Sequence, residues 1–246
     1  LRDLILVVKN MIKKAMILAA GFGKRLYPLT LNYPKPLLRI GSETLLSNTL
    51  KFLEKFGIEK VVINVHYLGD KIIDYINKNK FKMVITLIKE KDKILDTGGA
   101  VLNVINHFLK EPFLIINPDT IWNISYLEEL KTMEKKFFVN KKTKCYLLVV
   151  NKEKSFDQSF KGDFTLVNKL VSRKRKREDL RYIYTGLQII KPEVFSDLDM
   201  EVFSMNRIWD KLIENDYLYG LESDVDFFHV STFEIYKKLK KNLNIE

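Results

Sequence analysis

A chain of 246 residues with 46% hydrophobic and 30% charged residues can bury a sizeable core, and its 10 glycines and 6 prolines are too few for a fibrous or low-complexity polymer. The formal charge of +11 raises the question of phosphate-bearing partners. Its lysines are scattered, as at Lys51, Lys55, Lys71, Lys78 and Lys80, and the one concentrated basic run, Ser172 to Asp179, has no aromatic stacking motif beside it; no nucleic-acid partner is expected, with RNA binding through Arg173 to Arg177 as the alternative.

One cysteine, Cys145, excludes an internal disulfide, and no Cys/His cluster has zinc-ligand spacing; a reducing, cytoplasmic setting is expected. The apolar stretch Leu4 to Val8 is far shorter than the roughly 20 residues of a membrane span, and no signal peptide is recognisable, so no membrane partner is expected either. Met11 reads as a natural start, which makes residues 1–10 an N-terminal extension and 11–246 a single domain.

In chain order, Lys14 to Ala19 is an apolar run of strand length ending at small residues. Leu45, Leu46, Thr49, Leu50, Leu53 and Phe56 repeat at helical spacing, which predicts a helix over Ser42 to Phe56 stopped by Gly57. Then follow a β-branched strand, Lys60 to Val65, a helix over Gly69 to Asn77, a strand over Lys82 to Ile88, a helix over Ala100 to Leu109, and a strand over Pro112 to Asn117 that runs into Asp119. Strands that are apolar almost throughout, alternating with helices, predict an α/β fold with a mostly parallel sheet covered on both faces.

The second half reads differently. Cys145 to Val150 is a strand; Phe164, Leu166, Val167 and Leu170 lead into the basic run "SRKRKRED" (Ser172 to Asp179), expected as a surface hairpin or loop. Tyr182 to Ile190, a helix over Asn206 to Asp216 and a last helix over Thr232 to Leu243 complete an elaborated C-terminal part, with no repeat or linker between the halves.

The chemistry gathers in "LAAGFGKRLYPLTLNYPKPLL", Leu18 to Leu38. In a parallel α/β sheet, ligands collect outside the carboxyl ends of the strands, and the loop after the first strand is the usual phosphate site. Ala19, Ala20, Gly21 and Gly23 leave little side chain in the way of a nucleotide. Leu26 stands where a dinucleotide-binding G-x-G-x-x-G needs glycine, and no Walker-type G-x-x-x-x-G-K-[ST] is present, so both readings fall away. Lys24 and Arg25 follow the glycines, and Lys35 sits between Pro34 and Pro36, where a stiff backbone lowers the entropic cost of aiming an ammonium group.

This stretch resembles, position by position, the LAAGxGxRxxPLTxxxPKPL signature of the sugar-1-phosphate nucleotidyltransferases. The likeness continues through "GIEKVVINVHYLGDKI" (Gly57 to Ile72), "LDTGGA" (Leu95 to Ala100), "FLIINPDT" (Phe113 to Thr120) and "YTGLQIIKPEVF" (Tyr184 to Phe195). Among subfamilies the chain is most similar to short bacterial enzymes that uridylylate N-acetylmuramate 1-phosphate in cell-wall recycling.

The resemblance implies a Rossmann-like sheet of the nucleotide-diphospho-sugar transferase type. It also implies transfer of a nucleotidyl group from an NTP, UTP in the first instance, to a sugar 1-phosphate with release of pyrophosphate, and Mg²⁺ as cofactor. Guanylyl or thymidylyl transfer to mannose, heptose or glucose 1-phosphate, and a non-catalytic sugar-nucleotide binder, are the alternatives. By similarity, Ala19, Ala20, Gly21, Gly23, Gly98 and Gly99 line the nucleotide, Arg25 meets the phosphates that leave, Lys35 meets the reacting phosphates, Thr185 and Gly186 approach the sugar, and Asp119 binds the metal. Residue chemistry alone keeps plainer readings open: a helix-entry turn for Gly98 and Gly99, an N-cap for Thr97, strand packing for Gly186, and a turn cap for Asp119.

Two departures bear on the metal. Relatives carry a late D-V-G-T-P-E motif, whereas this chain reads "FFHVSTFE" (Phe227 to Glu234), with His229 at the aspartate position and Ser231 at the glycine position. His229 is expected either as the second metal ligand or in a non-metal role such as hydrogen bonding to a phosphate, with Asp224 or Asp226 as substitute ligands if the loop folds back; Mg²⁺ prefers oxygen. Pro118 also replaces the commoner glycine or serine before Asp119.

Overall fold

The computed structural model describes residues 11–173 and 180–242. Its elements are β1 (Lys14–Leu18), α1 (Leu29–Asn32), β2 (Arg39–Ile40), β3 (Glu43–Thr44), α2 (Leu45–Phe56), β4 (Lys60–Val65), α3 (Gly69–Lys78), β5 (Val84–Lys89), α4 (Asp96–Asn103), β6 (Phe113–Ile116) and α5 (Ser125–Val139). The later part adds β7 (Cys145–Asn151), β8 (Thr165–Val167), β9 (Leu170–Ser172), β10 (Tyr182–Ile190), α6 (Met205–Glu214), β11 (Leu218–Ser223) and α7 (Phe233–Asn242).

Nine strands form one sheet in the order β5-β4-β1-β6-β10-β7-β11-β9-β8, and β2 pairs with β3 in a separate ribbon. The first four neighbours are all parallel. Beyond β6 the sheet is mixed: β10 runs antiparallel to both β6 and β7, and β7 pairs parallel with β11. This is the expected α/β, Rossmann-like sheet, with its parallel half built by the first part of the chain.

Two apolar layers hold it, because successive residues of a strand point to opposite faces. Ala15, Ile17, Ile63, Leu114 and Ile116 meet Leu46, Leu50 and Leu53 of α2 and Leu127, Leu130 and Met133 of α5 on one face. Met16, Val62, Phe113 and Ile115 meet Val101 of α4 and Ile208, Trp209 and Leu212 of α6 on the other. Burying a Leu or Ile side chain of this kind stabilises by about 1.5–3 kcal/mol.

The helix predicted from Ser42 begins instead at Leu45, because Glu43 and Thr44 are spent on a strand and Thr44 Oγ1 caps the helix by accepting from Ser47 N at 3.0 Å. Gly57 ends it at φ 100°, as a left-handed C-cap. The helix predicted over Ala100 to Leu109 lies earlier, as α4, and gives way to a 3₁₀ turn at Ile105–His107. Helix α5 and strand β11 have no counterpart among the elements predicted from sequence. Strands β8 and β9 form a hairpin ahead of the basic run; residues 174–179, on which the expected surface hairpin or loop falls, and the extension 1–10 lie outside the described residues.

Cys145 is fully buried, its thiol donates to Gln188 Oε1 at 3.2 Å, and burial pushes its pKa well above the usual thiol range. The native chain should therefore be inert to a thiol reagent such as DTNB at neutral pH and react at once in denaturant. Stoichiometric labelling of folded protein would contradict this packing.

Candidate active site

The carboxyl ends of the four parallel strands open into a crevice of about 360 Å³. Leu18 and Ala19 come from the end of β1, Asn64 from β4, Glu90 from just past β5, and Asn117, Pro118 and Asp119 from the exit of β6. The loop after β1 forms one wall with Ala20, Gly21, Gly23, Lys24 and Arg25, and Lys35 projects from a second turn. Of the residues expected to bind nucleotide or act in catalysis, the structure brings together Ala19, Ala20, Gly21, Gly23, Arg25, Lys35 and Asp119.

Local forces hold this wall. Gly23 has φ 64°, a left-handed conformation that favours glycine, and an added Cβ would lie 3.0 Å from Thr30 Cγ2. Thr30 Oγ1 donates to Gly23 O at 2.9 Å, which ties the loop to α1. Lys35 opens a 3₁₀ turn, Lys35–Leu37, set by extended Pro34 before it and buried Pro36 within it.

Lys35 Nζ donates to Asp119 Oδ2 across 84 residues of sequence, with both side chains mostly buried. Burial alone would raise the Asp119 pKa, but the positive charge available from His229 and Lys35 overrides it and holds the carboxyl at about 2. His229 is itself driven down to about 4, first by burial and then by the nearby Lys35 and Arg25 against the pull of Asp119 and Asp157. At neutral pH, then, His229 is uncharged and Lys35 carries the effect on Asp119. Arg25 is exposed at the mouth and has no hydrogen-bond or ion-pair partner among the described residues.

The other expected site residues stand behind this wall. Gly98 and Gly99 donate their amides to Phe203 O at 2.9 and 3.0 Å. Added Cβ atoms there would approach the Phe203 ring and Glu201 O to 2.4 Å each. Their demand for glycine thus comes from packing α4 against residues 201–203. Thr97 does not cap the helix; its Oγ1 accepts from Met205 N at 2.8 Å, although the residue also lines the crevice.

Thr185 is buried and donates from Oγ1 to Leu148 O, while Gly186, at φ 93°, packs against Asn117, whose amide donates to Gly186 O at 2.8 Å. His229 lies beside Asp119, with Nδ1 3.6 Å from Oδ1. Asp224 pairs with Lys154, and Asp226 offers its backbone carbonyl to Tyr126 Oη; neither takes the place of His229 next to Asp119.

Sequence reasoning missed a buried brace. Asn64 Oδ1 accepts from Ala19 N at 3.0 Å and its Nδ2 donates to Glu90 Oε1 at 2.7 Å, while Glu90 Oε2 accepts from Leu95 N at 2.9 Å. The brace links the ends of β1, β4 and β5 to the entry of α4. Its one local signal is a polar Asn inside the apolar run "KVVINV". The sequence marks Ser231 only as a departure from the late motif, yet it lines the crevice and its hydroxyl donates to buried Asp157.

Among the described residues no three His, Cys, Asp or Glu side chains cluster to cage a metal ion. A divalent ion of the Mg²⁺ type needs only one or two carboxylates, with phosphate oxygens and water for the rest. Asp119 Oδ1 is buried without a hydrogen-bond partner, so the carboxylate has unused acceptor capacity of the kind a cation takes. The donor set therefore fits an ion shared with a bound phosphate.

The nucleotidyl transferase family model matches residues 14–197, which include the whole crevice except Ser231. The chain belongs to the nucleotidyl transferase family. It is 28% identical over 222 residues to the N-acetylmuramate alpha-1-phosphate uridylyltransferase of Caulobacter vibrioides, covering 89% of this chain and 91% of that protein. It is 31% identical over 216 residues to the bifunctional protein GlmU of Methanococcus maripaludis, covering 85% of this chain and 49% of that longer protein. Among solved structures, a UDP-glucose pyrophosphorylase from Acinetobacter baumannii superposes with a TM-score of 0.78 at 15% identity, over 94% of this chain and 93% of that one. HddC from Yersinia pseudotuberculosis superposes with a TM-score of 0.71 at 20% identity, over 94% of this chain and all of that one. At such identities the structural likeness speaks for the fold. Family and sequence relatives make the chain an enzyme of the sugar-1-phosphate nucleotidyltransferase type. No helix among the described residues is long and apolar enough to cross a membrane.

Two substitutions test the scaffold. Asn64→Ala removes two buried hydrogen bonds and should cost about 1–3 kcal/mol in denaturant unfolding. Gly98→Ala forces a methyl into the Phe203 ring and should cost about 1–3 kcal/mol. A wild-type unfolding midpoint for either variant would contradict the packing described.

Proposed function

We propose that the chain transfers a uridylyl group from UTP to N-acetylmuramate 1-phosphate, releasing pyrophosphate and forming the UDP-sugar. One observation carries the reading: Arg25, Lys35 and Asp119 surround a single crevice walled by small residues at the carboxyl ends of the parallel strands. Relatives named for this reaction, from Caulobacter vibrioides and Neisseria meningitidis, support the choice of sugar and base.

The chemistry joins two anions, so the work is charge neutralisation and alignment. An ionised phosphate oxygen of the sugar attacks the α-phosphorus of the nucleotide, and the bond to the bridging oxygen of the β-phosphate breaks. The sugar phosphate is already deprotonated at neutral pH, so no general base is required. Gly21 and Gly23 let the triphosphate approach the backbone, and unpaired Arg25 neutralises the β- and γ-phosphates as they leave. Lys35 exchanges its contact with Asp119 for the reacting phosphates, which gain charge-assisted hydrogen bonds in the transition state. Asp119 would hold a Mg²⁺ ion, which supplies Lewis-acid neutralisation at the α-phosphate when bound. Gly98, Gly99, Thr185 and Gly186 shape the nucleotide and sugar ends from behind, by setting the positions of α4 and Asn117.

A screen of four NTPs against a panel of sugar 1-phosphates with Mg²⁺, read as pyrophosphate release, tests the reading. Turnover should be greatest with UTP and N-acetylmuramate 1-phosphate and be lost in Asp119→Ala. Release with no pair would remove the proposal, and preference for GTP or dTTP would redirect it. Lys35→Ala should lower kcat, measured well below the unfolding midpoint, about 10²–10³-fold, the effect typical of a lost transition-state donor, and should also lower that midpoint, because Asp119 is left buried without its partner.

A further inference from the structure

Asp119 Oδ1 is a buried oxygen of the site left without a hydrogen bond, and the group facing it is the His229 ring. The ring is fixed from several sides. Residues 119–121 and 228–230 run as a short antiparallel ladder, with Val230 N donating to Asp119 O at 2.8 Å and Ile121 N donating to Phe228 O at 2.9 Å. Phe227 stacks on the imidazole at 5.6 Å between centroids, and Phe160 meets it edge-on at 5.8 Å.

Which ring nitrogen carries the hydrogen follows from what surrounds Nδ1. One neighbour is the Asp119 carboxylate, an acceptor only. Another is Thr120 Oγ1 at 3.4 Å. That hydroxyl has a single hydrogen, and it is committed to Thr185 O at 2.7 Å, so toward the ring it too offers only lone pairs. A bare Nδ1 would set three lone-pair donors against one another; an Nδ1–H satisfies the site.

We infer that His229 is a positioning residue: it holds the Nδ1–H tautomer and donates to Asp119 Oδ1, instead of lending the Nδ1 lone pair to a metal ion. The 3.6 Å separation is longer than a formed hydrogen bond, so the assignment requires the ring and Oδ1 to approach to about 3 Å. Asp119 is then held by His229 on one oxygen and Lys35 on the other. Oδ2 becomes the oxygen that changes partner when Lys35 turns to phosphate. This assignment rests on the proposed role of Asp119 and gives the histidine that replaces the usual aspartate a different task from the residue it replaces.

Long-range ¹H–¹⁵N spectra of the full chain, free of nucleotide and metal, read the tautomer directly. The three histidines are separable by comparison with a His229→Asn variant. The expected result is a protonated, pyrrole-type shift for His229 Nδ1 at neutral pH; a pyridine-type shift there overturns the inference. Because no substrate is present, this readout is independent of whether the proposed reaction is correct.

A second measurement compares His229→Asn with His229→Gln. Both lose the ring packing on Phe227 and Phe160, but only asparagine carries an amide nitrogen at the δ position. Glutamine should fall about 10–100-fold below asparagine in kcat/KM and in Mn²⁺ affinity, the size usual for losing a group that orients a ligand. Equal values for the two variants overturn the positioning role.

Discussion

The ion pair between Lys35 and Asp119 is the contact on which the crevice depends. It joins the turn Lys35–Leu37 to the exit of β6, and it offsets part of the cost of burying a carboxylate there. At an effective dielectric of 20, opposite charges about 4 Å apart attract by roughly 4 kcal/mol, while desolvation costs several kcal/mol per ion. Such a pair is a weak net stabiliser but an expensive one to break on one side only. A carboxyl held near 2 therefore stays charged throughout the neutral range, and the lysine beside it stays in place until another anion competes.

Around that pair, the sheet acts as the alignment device. Leu18 of β1 sits opposite Asn64 of β4, which is why the Asn64 side chain reaches the amide of Ala19, one residue on. Ala15, Met16 and Ile17 also register with Leu114, Ile115 and Ile116 of β6, so the chain leaves β6 toward Asp119 on the side where the glycine loop leaves β1. A slip of one residue would exchange the two apolar faces, so the core that stabilises the fold also fixes the distance between the site's cation and its acid.

Legibility divides along the same line between local and distant causes. Strands β1, β4, β6 and β7 announce themselves by continuous apolar runs, and the glycine loop, Arg25, Lys35 and Asp119 by a signature contained in short stretches. Helix α5 also left a trace, since Tyr126, Leu127, Leu130, Met133 and Phe137 are its buried face, but its dense lysines and glutamates hid the spacing. The start of α2 was misplaced because the strand at Glu43–Thr44 exists only by pairing with Arg39–Ile40. Asn64 and Glu90 could not be joined from sequence at all, because their link is a hydrogen bond between neighbouring strand ends. Gly98 and Gly99 show the converse: the sequence marks glycines, and the reason for them is a carbonyl and a ring about a hundred residues further on.

That distant dependence explains why the C-terminal part is integral to the site. The segment after β11 returns across the exit of β6, pairs with residues 119–121, and brings His229 beside Asp119 and Ser231 to the crevice wall. Residues 201–203 clamp the start of α4, and β10 supports Asn117 through the close approach of Gly186. The first half supplies the cations and the carboxylate, but their facing walls are fixed by groups that come from the second. A loop rich in small residues can approach a phosphate closely only if something else keeps it from collapsing, and here the bracing is distributed over Thr30, Asn64, Phe203 and Asn117. Those anchors are tied by hydrogen bonds and close packing, whereas Arg25 has no partner among the described residues and stands exposed at the mouth, open to an anion.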